Sequence, residues 1–386
     1  GAFLSGGLDS TVVVGIAAKK LTRELKTFSI GFSSDPRYDE TRYARMAAEA
    51  FGVQHTEFEV TPQEMTLVED LVWAHDGPFA DSSAIPTTLL SRLTREHVTV
   101  ALTGDGGDEV FAGYDRFRAG VLSEKLPAFL REELTRRVVP WLPNADERTF
   151  WGRVRRFFSG LSAPLPERML RWQPGFAAQV PEIFRQEVLE KALGHGFTRS
   201  GGVSQMPPAL LGYAEEVFAH TEGKSPLARL LDHNFNTYLP QDLQVKMDRC
   251  TMAHALEARS PFLDHRLVEY CSALPGRFMM PWGVSKAILR YAFRDLVPWP
   301  ILTRGKMGFG VPLDTWSREE WREALRDRLA DPHAPLYDYL ERRDVMRYIG
   351  EHEERKAHWG HQLFTLLTLE IWLESLSSPV PATLDA

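Results

Sequence analysis

The sequence predicts an α/β fold: a mainly parallel, doubly wound sheet at the start of the chain, with large helical additions after it. Two observations carry this. Over the first 115 residues, short apolar runs alternate with amphipathic stretches in the order β-α-β-α-β-α-α-β, the pattern of a parallel sheet with helices on both faces. After about Tyr114 the strand signals fade, and stretches rich in Leu, Arg, Glu and Trp read as packed helices. The division implied is an α/β core over 1–117 and a mostly helical part over 118–386.

Taken in order, Ala2 to Leu4 reads as the end of a strand. Ser10 to Leu25 reads as a helix that buries Val12, Val13 and Ile16. Thr27 to Phe32 is a second strand. Glu40 to Phe51 has helical periodicity and stops at Gly52, which suits a C-cap. His55 to Val60 alternates polar and apolar, as a strand does. Thr61-Pro62-Gln63-Glu64 is a capping box with Pro at the first helical position, starting a helix that runs to His75. Gly77-Pro78 breaks it. Ala84 to Arg95 is another helix, and Val98 to Leu102 a buried strand. Residues 226–300 and Glu341 to Leu376 also read as helical. Between them, Thr303 to Gly310 holds three glycines in eight residues and reads as a flexible loop.

Composition is that of a globular protein, 44% hydrophobic and 25% charged. A net charge of −7 argues against a general nucleic-acid binder. No stretch approaches the roughly 18 consecutive apolar residues of a membrane span; the longest, Val12 to Ala18, is one side of a helix. Cys250 and Cys271 fit no zinc or redox spacing and read as buried thiols of a reducing, cytoplasmic compartment. The ten tryptophans are expected in the helical core and its interfaces. His358 and His361, at i and i+3, could approach one metal, but no third ligand is visible. The chain opens without Met, inside a strand, so it is expected to continue something longer.

In open α/β sheets ligands bind beyond the carboxyl ends of the strands. After the first strand stands Ser5-Gly6-Gly7-Leu8-Asp9-Ser10. Adjacent glycines let backbone N–H groups converge on an anion, and the following helix adds its positive end. Asp9 would repel a bare phosphate, so it implies a bridging Mg²⁺. A Walker A loop is absent, because Gly305-Lys306 is followed by Met. After the fourth strand stands Thr103-Gly104-Asp105-Gly106-Gly107-Asp108-Glu109, a glycine-rich acidic loop suited to holding Mg²⁺ close to a nucleotide. It does not match the EF-hand pattern.

Together these segments resemble a known family. SGGLDS, TFSIGF at 27–32, TGDGGDEVFAGY at 103–114, LEARSPFLDHRLVEY at 256–270 and SKAILR at 285–290 are similar, in order, to the synthetase domain of the glutamine-hydrolysing asparagine synthetase B family. That family belongs to the ATP pyrophosphatases of the PP-loop, adenine nucleotide alpha hydrolase-like type. The resemblance implies adenylation of the aspartate side chain by ATP, release of pyrophosphate, and displacement of AMP by ammonia. It implies that Leu4, Ile30, Thr103 and Gly104 line the AMP pocket. Ser5, Gly6, Gly7, Asp9 and Ser10 would hold pyrophosphate, and Asp9 and Asp108 would bind Mg²⁺. Lys286 would neutralise charge at the α-phosphate. Asp105 matches an acidic position needed for acyl-adenylate formation, but the best-known members carry Glu there, one methylene longer. Thr103 stands where Ser is common and keeps the hydroxyl.

Arg249 or Arg259, near Lys246 and Asp248, could meet a substrate carboxylate or phosphate, or pair structurally with Glu257 or Asp264. Lys306 lies in the glycine-rich loop, which is expected to close over the adenylate and exclude water. The family's glutaminase domain, with its N-terminal cysteine nucleophile, is not in this chain, so free ammonia is the expected nitrogen source. A homodimer is a further partner implied. The competing readings are a PP-loop amide ligase acting on another carboxylate, such as a β-lactam synthetase-like enzyme or a biosynthetic-cluster amidotransferase, and a catalytically inactive nucleotide-binding scaffold.

Overall fold

In the computed structural model, β1 (Ala2–Phe3), β2 (Lys26–Gly31), β3 (Gln54–Glu59), β4 (Val100–Leu102) and β5 (Glu257–Arg259) form one sheet. The order is β3-β2-β1-β4-β5 and every pairing is parallel. The structure describes all residues except 33–34, 36, 61–66, 144–148, 173–179, 194–206, 309 and 378–386. The expected capping box at 61–64 lies outside them.

Strands and helices alternate as the periodicity predicts. α1 (Leu8–Lys20), α2 (Thr41–Phe51), α3 (Leu67–His75), α4 (Ala84–Arg95), α5 (Gly107–Val110) and α6 (Asp115–Glu124) follow in turn. α2 ends on Gly52 in the left-handed region (φ 63°), as its C-cap position requires. The interior strand β2 buries two hydroxyls, Thr27 and Ser29. Both are satisfied by one imidazole across the ladder: Thr27 Oγ1 lies 2.9 Å from His55 Nδ1, and Ser29 Oγ lies 3.1 Å from Nε2.

Several expectations are corrected. β5 falls within 226–300, which the sequence reads as helical. Three residues are too few to show a period, and their strand conformation comes from pairing with β4, Val100 opposite Glu257 through Leu102 opposite Arg259. Ile16 is exposed rather than buried. The first half of α1 is enclosed all round, Thr11 to Gly15 being buried, so burial there does not follow one stripe. Gly15 admits the ring of Phe51 so closely that a Cβ would lie 2.7 Å from it. The span 341–376 is two helices, Arg342–Glu353 and Gly360–Ser377. Trp172, Trp316 and Trp321 are buried, but Trp73, Trp141, Trp151, Trp282 and Trp299 are exposed.

The chain forms two compact units. The first comprises 1–61, 83–125 and 218–311 and contains the sheet; the second comprises 62–82, 126–217 and 312–386 and is helical. In the first, α4 packs against the helix Gln244–Met252, whose buried Cys250 donates from its Sγ to the Ala84 carbonyl, 3.6 Å away. In the second, Gly360–Ser377 packs on α3, and Arg328 bridges Glu69 and Glu374. Among the described residues no helix is long and apolar enough to cross a membrane.

Candidate active site at the sheet's switch point

The sheet runs outward from β1 to β3 in one direction, then resumes on the other side of β1 with β4. The order therefore reverses between β1 and β4, and the carboxyl ends there are where an open α/β sheet offers a crevice. Both glycine-rich segments singled out in the sequence follow these two strands.

The loop after β1 is built by its own residues. Ser5 Oγ lies 3.1 Å from Ser10 Oγ, and Ser10 Oγ donates to the Gly7 carbonyl at 3.3 Å. α1 begins at Leu8, earlier than its apolar pattern suggests. Its N-cap is Gly7, which offers no side-chain acceptor, so the first-turn N–H groups stay available to an anion. Gly6 has φ 71° and passes so close to α2 that a Cβ would sit 2.5 Å from the Ala44 nitrogen. Leu4 and Ile30 are buried behind the loop, and the Leu4 N–H donates to the Phe28 carbonyl.

The loop after β4 packs against the first through its glycines. A Cβ on Gly104 would lie 2.8 Å from the Ser10 nitrogen, and one on Gly107 would lie 2.5 Å from Asp9 Cγ. Asp9 and Asp108 are thereby brought to one place, and two lysines from distant segments join them. Lys286 Nζ pairs with Asp9 and lies 2.6 Å from Asp108 Oδ1; Lys306 Nζ pairs with Asp108 Oδ2. Two carboxylates and two ammoniums form a neutral, mostly buried cluster. Burial opposes ionisation of Asp108, but the charges of Lys286 and Lys306 overcome it and hold its carboxyl below the usual range. Asp9 touches one lysine only. Burial pushes it up, against the pull of Lys286, and its Oδ1 is buried without a hydrogen-bond partner. Lys306 is held above the ordinary lysine range: burial opposes its charge, and Asp108 and Asp9 more than offset that.

Lys286 takes its place by an unusual backbone. It caps the helix Ala287–Ala292 with φ 54°, a conformation costing a non-glycine residue about 1–2 kcal/mol. Its N–H donates to the Phe111 carbonyl at 3.1 Å. Gly113 lines the same spot, where a Cβ would lie 1.8 Å from Asp108 Oδ1 and 2.2 Å from Lys286 Cε.

Asp105 stands three residues before Asp108 in the same loop. Thr103 Oγ1 donates to Asp105 Oδ2 at 2.9 Å and lies 2.8 Å from Ser260 Oγ. Burial pushes the Asp105 carboxyl up, against the charge of Lys246. Lys246 itself is buried and donates to Ser83 Oγ at 2.7 Å. Glu109, next to Asp108, accepts from the Tyr114 hydroxyl; burial and then the Asp108 charge push it up to about 7.

Sequence reasoning placed Lys306 in a covering loop and missed its ion pair with Asp108. It also missed Arg304, which donates to the Gly6 carbonyl at 3.0 Å, pairs with Glu40, and stacks 4.0 Å from the Tyr43 ring centroid. The only sequence signal for either was a cation inside a glycine-rich segment. Other candidates are not gathered here. Arg259 is exposed and pairs with Glu257 at 2.9 Å. Arg249 is exposed on its helix. His358 lies before the helix that begins at Gly360, and its Nδ1 meets Asp314 Oδ2 at 2.5 Å. No group of three or more metal-binding side chains occurs among the described residues.

Comparison with known proteins gives a consistent result. A family profile described as asparagine synthase matches residues 1–374. The chain is 30% identical over 376 residues to asparagine synthetase [glutamine-hydrolyzing] 1 of Bacillus subtilis, covering 96% of this chain and 55% of that protein. It is 31% identical over 386 residues to a putative asparagine synthetase [glutamine-hydrolyzing] of Mycobacterium bovis, covering 96% and 54%. A putative asparagine synthetase [glutamine-hydrolyzing] 2 of Methanocaldococcus jannaschii is 44% identical over 136 residues, 34% of this chain and 26% of that protein. The chain spans about half the length of the first two relatives.

Proposed function

The chain belongs to the asparagine synthase family, and from that premise we propose that it is an ATP-dependent, AMP-forming amide ligase that converts aspartate to asparagine. The observation that carries this reading is the cluster of Lys286, Lys306, Asp9 and Asp108 where the two glycine-rich loops meet. Cleaving ATP between its α and β phosphates develops negative charge on the bridging oxygen and on pyrophosphate. A preformed pair of ammoniums, Lys286 buried and Lys306 partly exposed, beside a helix N-terminus is suited to that charge.

In this reading a side-chain carboxylate oxygen of aspartate attacks the α-phosphorus. The bond to the bridging oxygen breaks, and pyrophosphate leaves held by Ser5, Gly6, Gly7 and Ser10. Leu4, Ile30, Thr103 and Gly104 enclose the AMP portion. Ammonia then attacks the acyl carbon; AMP departs with the carboxylate oxygen, and the nitrogen loses a proton. Asp105, half-buried and with its pKa raised by desolvation, serves the acyl-adenylate step as a carboxylate beside the reacting centre.

The donor set also fits Mg²⁺. Asp9 and Asp108 supply hard oxygen ligands, one of them an orphaned buried oxygen, and this ion needs only one or two carboxylates when phosphates complete its shell. When bound it would neutralise part of the pyrophosphate charge. Lys286 and Lys306, which occupy the same carboxylates here, would then turn to the phosphates. Ammonia would be the nitrogen donor; the relatives are described as glutamine-hydrolyzing.

ATP–pyrophosphate exchange with a panel of carboxylic acids tests the proposal. Exchange dependent on aspartate is expected. Dependence on another acid would redirect the reading to a related ligase, and no exchange with any acid would overturn it.

A further inference from the structure

Beside the ion cluster, within the same unit, lies a second polar assembly that the reaction as described leaves unused. The Arg116 guanidinium is clamped between two rings, its Cζ 4.2 Å from the Tyr114 centroid and 4.4 Å from that of Tyr238. Its Nη2 donates to Asn234 Oδ1 at 2.5 Å. Two donors then remain over. Arg116 Nε and Asn234 Nδ2 are both buried and have no hydrogen-bond partner. Arg116 has no carboxylate partner among the described residues. The neighbouring His233 adds no competing charge: burial and then Arg116 push it down to about 4.

A stacked, oriented guanidinium with an amide donor beside it, both with N–H groups to spare, matches a planar anion that accepts from each. Leaving such donors unmet is costly, which argues for a ligand rather than for packing alone. The position agrees. Tyr114 carries Arg116 on its ring, has Lys306 Nζ 5.4 Å from the same centroid, and hydrogen-bonds Glu109. One tyrosine thus separates Arg116 from the lysine that pairs with Asp108.

We propose that Arg116, oriented by Asn234 between Tyr114 and Tyr238, receives the carboxylate of the amino-acid substrate that is not activated, and so selects a dicarboxylic amino acid. This rests on the reading given under Proposed function, and names the group that recognises the substrate's α-carboxylate.

The test uses the full chain, comparing wild type, Arg116→Gln and Arg116→Lys in ATP–pyrophosphate exchange. Aspartate is compared with β-alanine, which lacks the α-carboxylate. Losing charge-assisted hydrogen bonds should raise the KM for aspartate roughly ten- to a hundredfold in Arg116→Gln. The KM for ATP and the behaviour with β-alanine should stay within about twofold, and Arg116→Lys should recover part of the loss. Unchanged KM for aspartate, or equal losses for aspartate and β-alanine at unchanged melting temperature, would overturn the inference. Calorimetric titration with aspartate, with and without a non-hydrolysable ATP analogue, reads the receptor independently of the chemistry. Binding by wild type and not by Arg116→Gln supports it even if exchange fails and the reaction is reassigned. Equal binding, or none to wild type in either assay, sinks it.

Discussion

Gly113→Ala isolates the ion cluster from the rest of the fold. The glycine's backbone does not require positive φ, so alanine brings no conformational penalty of its own. Its added methyl group would lie 1.8 Å from Asp108 Oδ1 and 2.2 Å from Lys286 Cε. A carbon–oxygen contact needs about 3.2 Å, so one side chain must move by more than about 1 Å. Neither has room, as both side chains are more than nine-tenths buried. Overpacking of this kind costs about 1–3 kcal/mol of stability. The functional cost is larger in proportion, because an error near 1 Å in a catalytic group lowers rates by roughly a hundredfold. The expected result is kcat/KM for ATP–pyrophosphate exchange down by about two orders of magnitude, in a protein whose circular dichroism stays native. Gly212→Ala is the control. It lies in the helix Pro208–Ala219 with nothing within 4 Å of its would-be Cβ, and should stabilise by up to about 1 kcal/mol without touching exchange. Full activity in Gly113→Ala would show that the Lys286–Asp108 geometry is not the one used in catalysis.

Two further outcomes follow from the same cluster. Lys306→Met should lower exchange by roughly tenfold, the low end for a charge-assisted contact because this lysine is partly exposed; a rate equal to wild type would remove Lys306 from the phosphate site. Glu109 should make stability fall as pH rises. Its folded value of about 7 lies above the ordinary 4.5, so between these values the folded state holds a proton the unfolded state has lost. Urea unfolding from pH 4.5 to 7.5 should show wild type losing stability relative to Glu109→Gln across that window, and parallel curves would contradict the burial argument.

How much of this could be read from the chain depended on whether the signal was local. The SGGLDS and TGDGGDE loops were legible because strand, glycine turn and helix start lie within ten residues; Gly6 and Gly106 adopt positive φ, and Gly104 and Gly107 lie where a Cβ would strike Ser10 and Asp9. The helices over 41–51 and 84–95 were legible because their periodicity is contiguous, and the first also ends on Gly52. β5 was not, since three residues carry no period and only the β4 edge makes them a strand. Ile16 was misplaced because a helix buried all round has no single apolar stripe.

The sequence by itself determined the order of elements as far as β4, the two loops and the family the chain belongs to, all properties of residues close together along the chain. Only the tertiary structure decided that the sheet reverses between β1 and β4, that Lys286 comes from 277 residues away to meet Asp9 and Lys306 from 198 residues away to meet Asp108, and that Arg116 stands clamped with donors to spare. The reason is physical: charge pairing and burial depend on distance in space, and in this chain the decisive distances are closed by strand pairing and helix packing rather than by residue spacing.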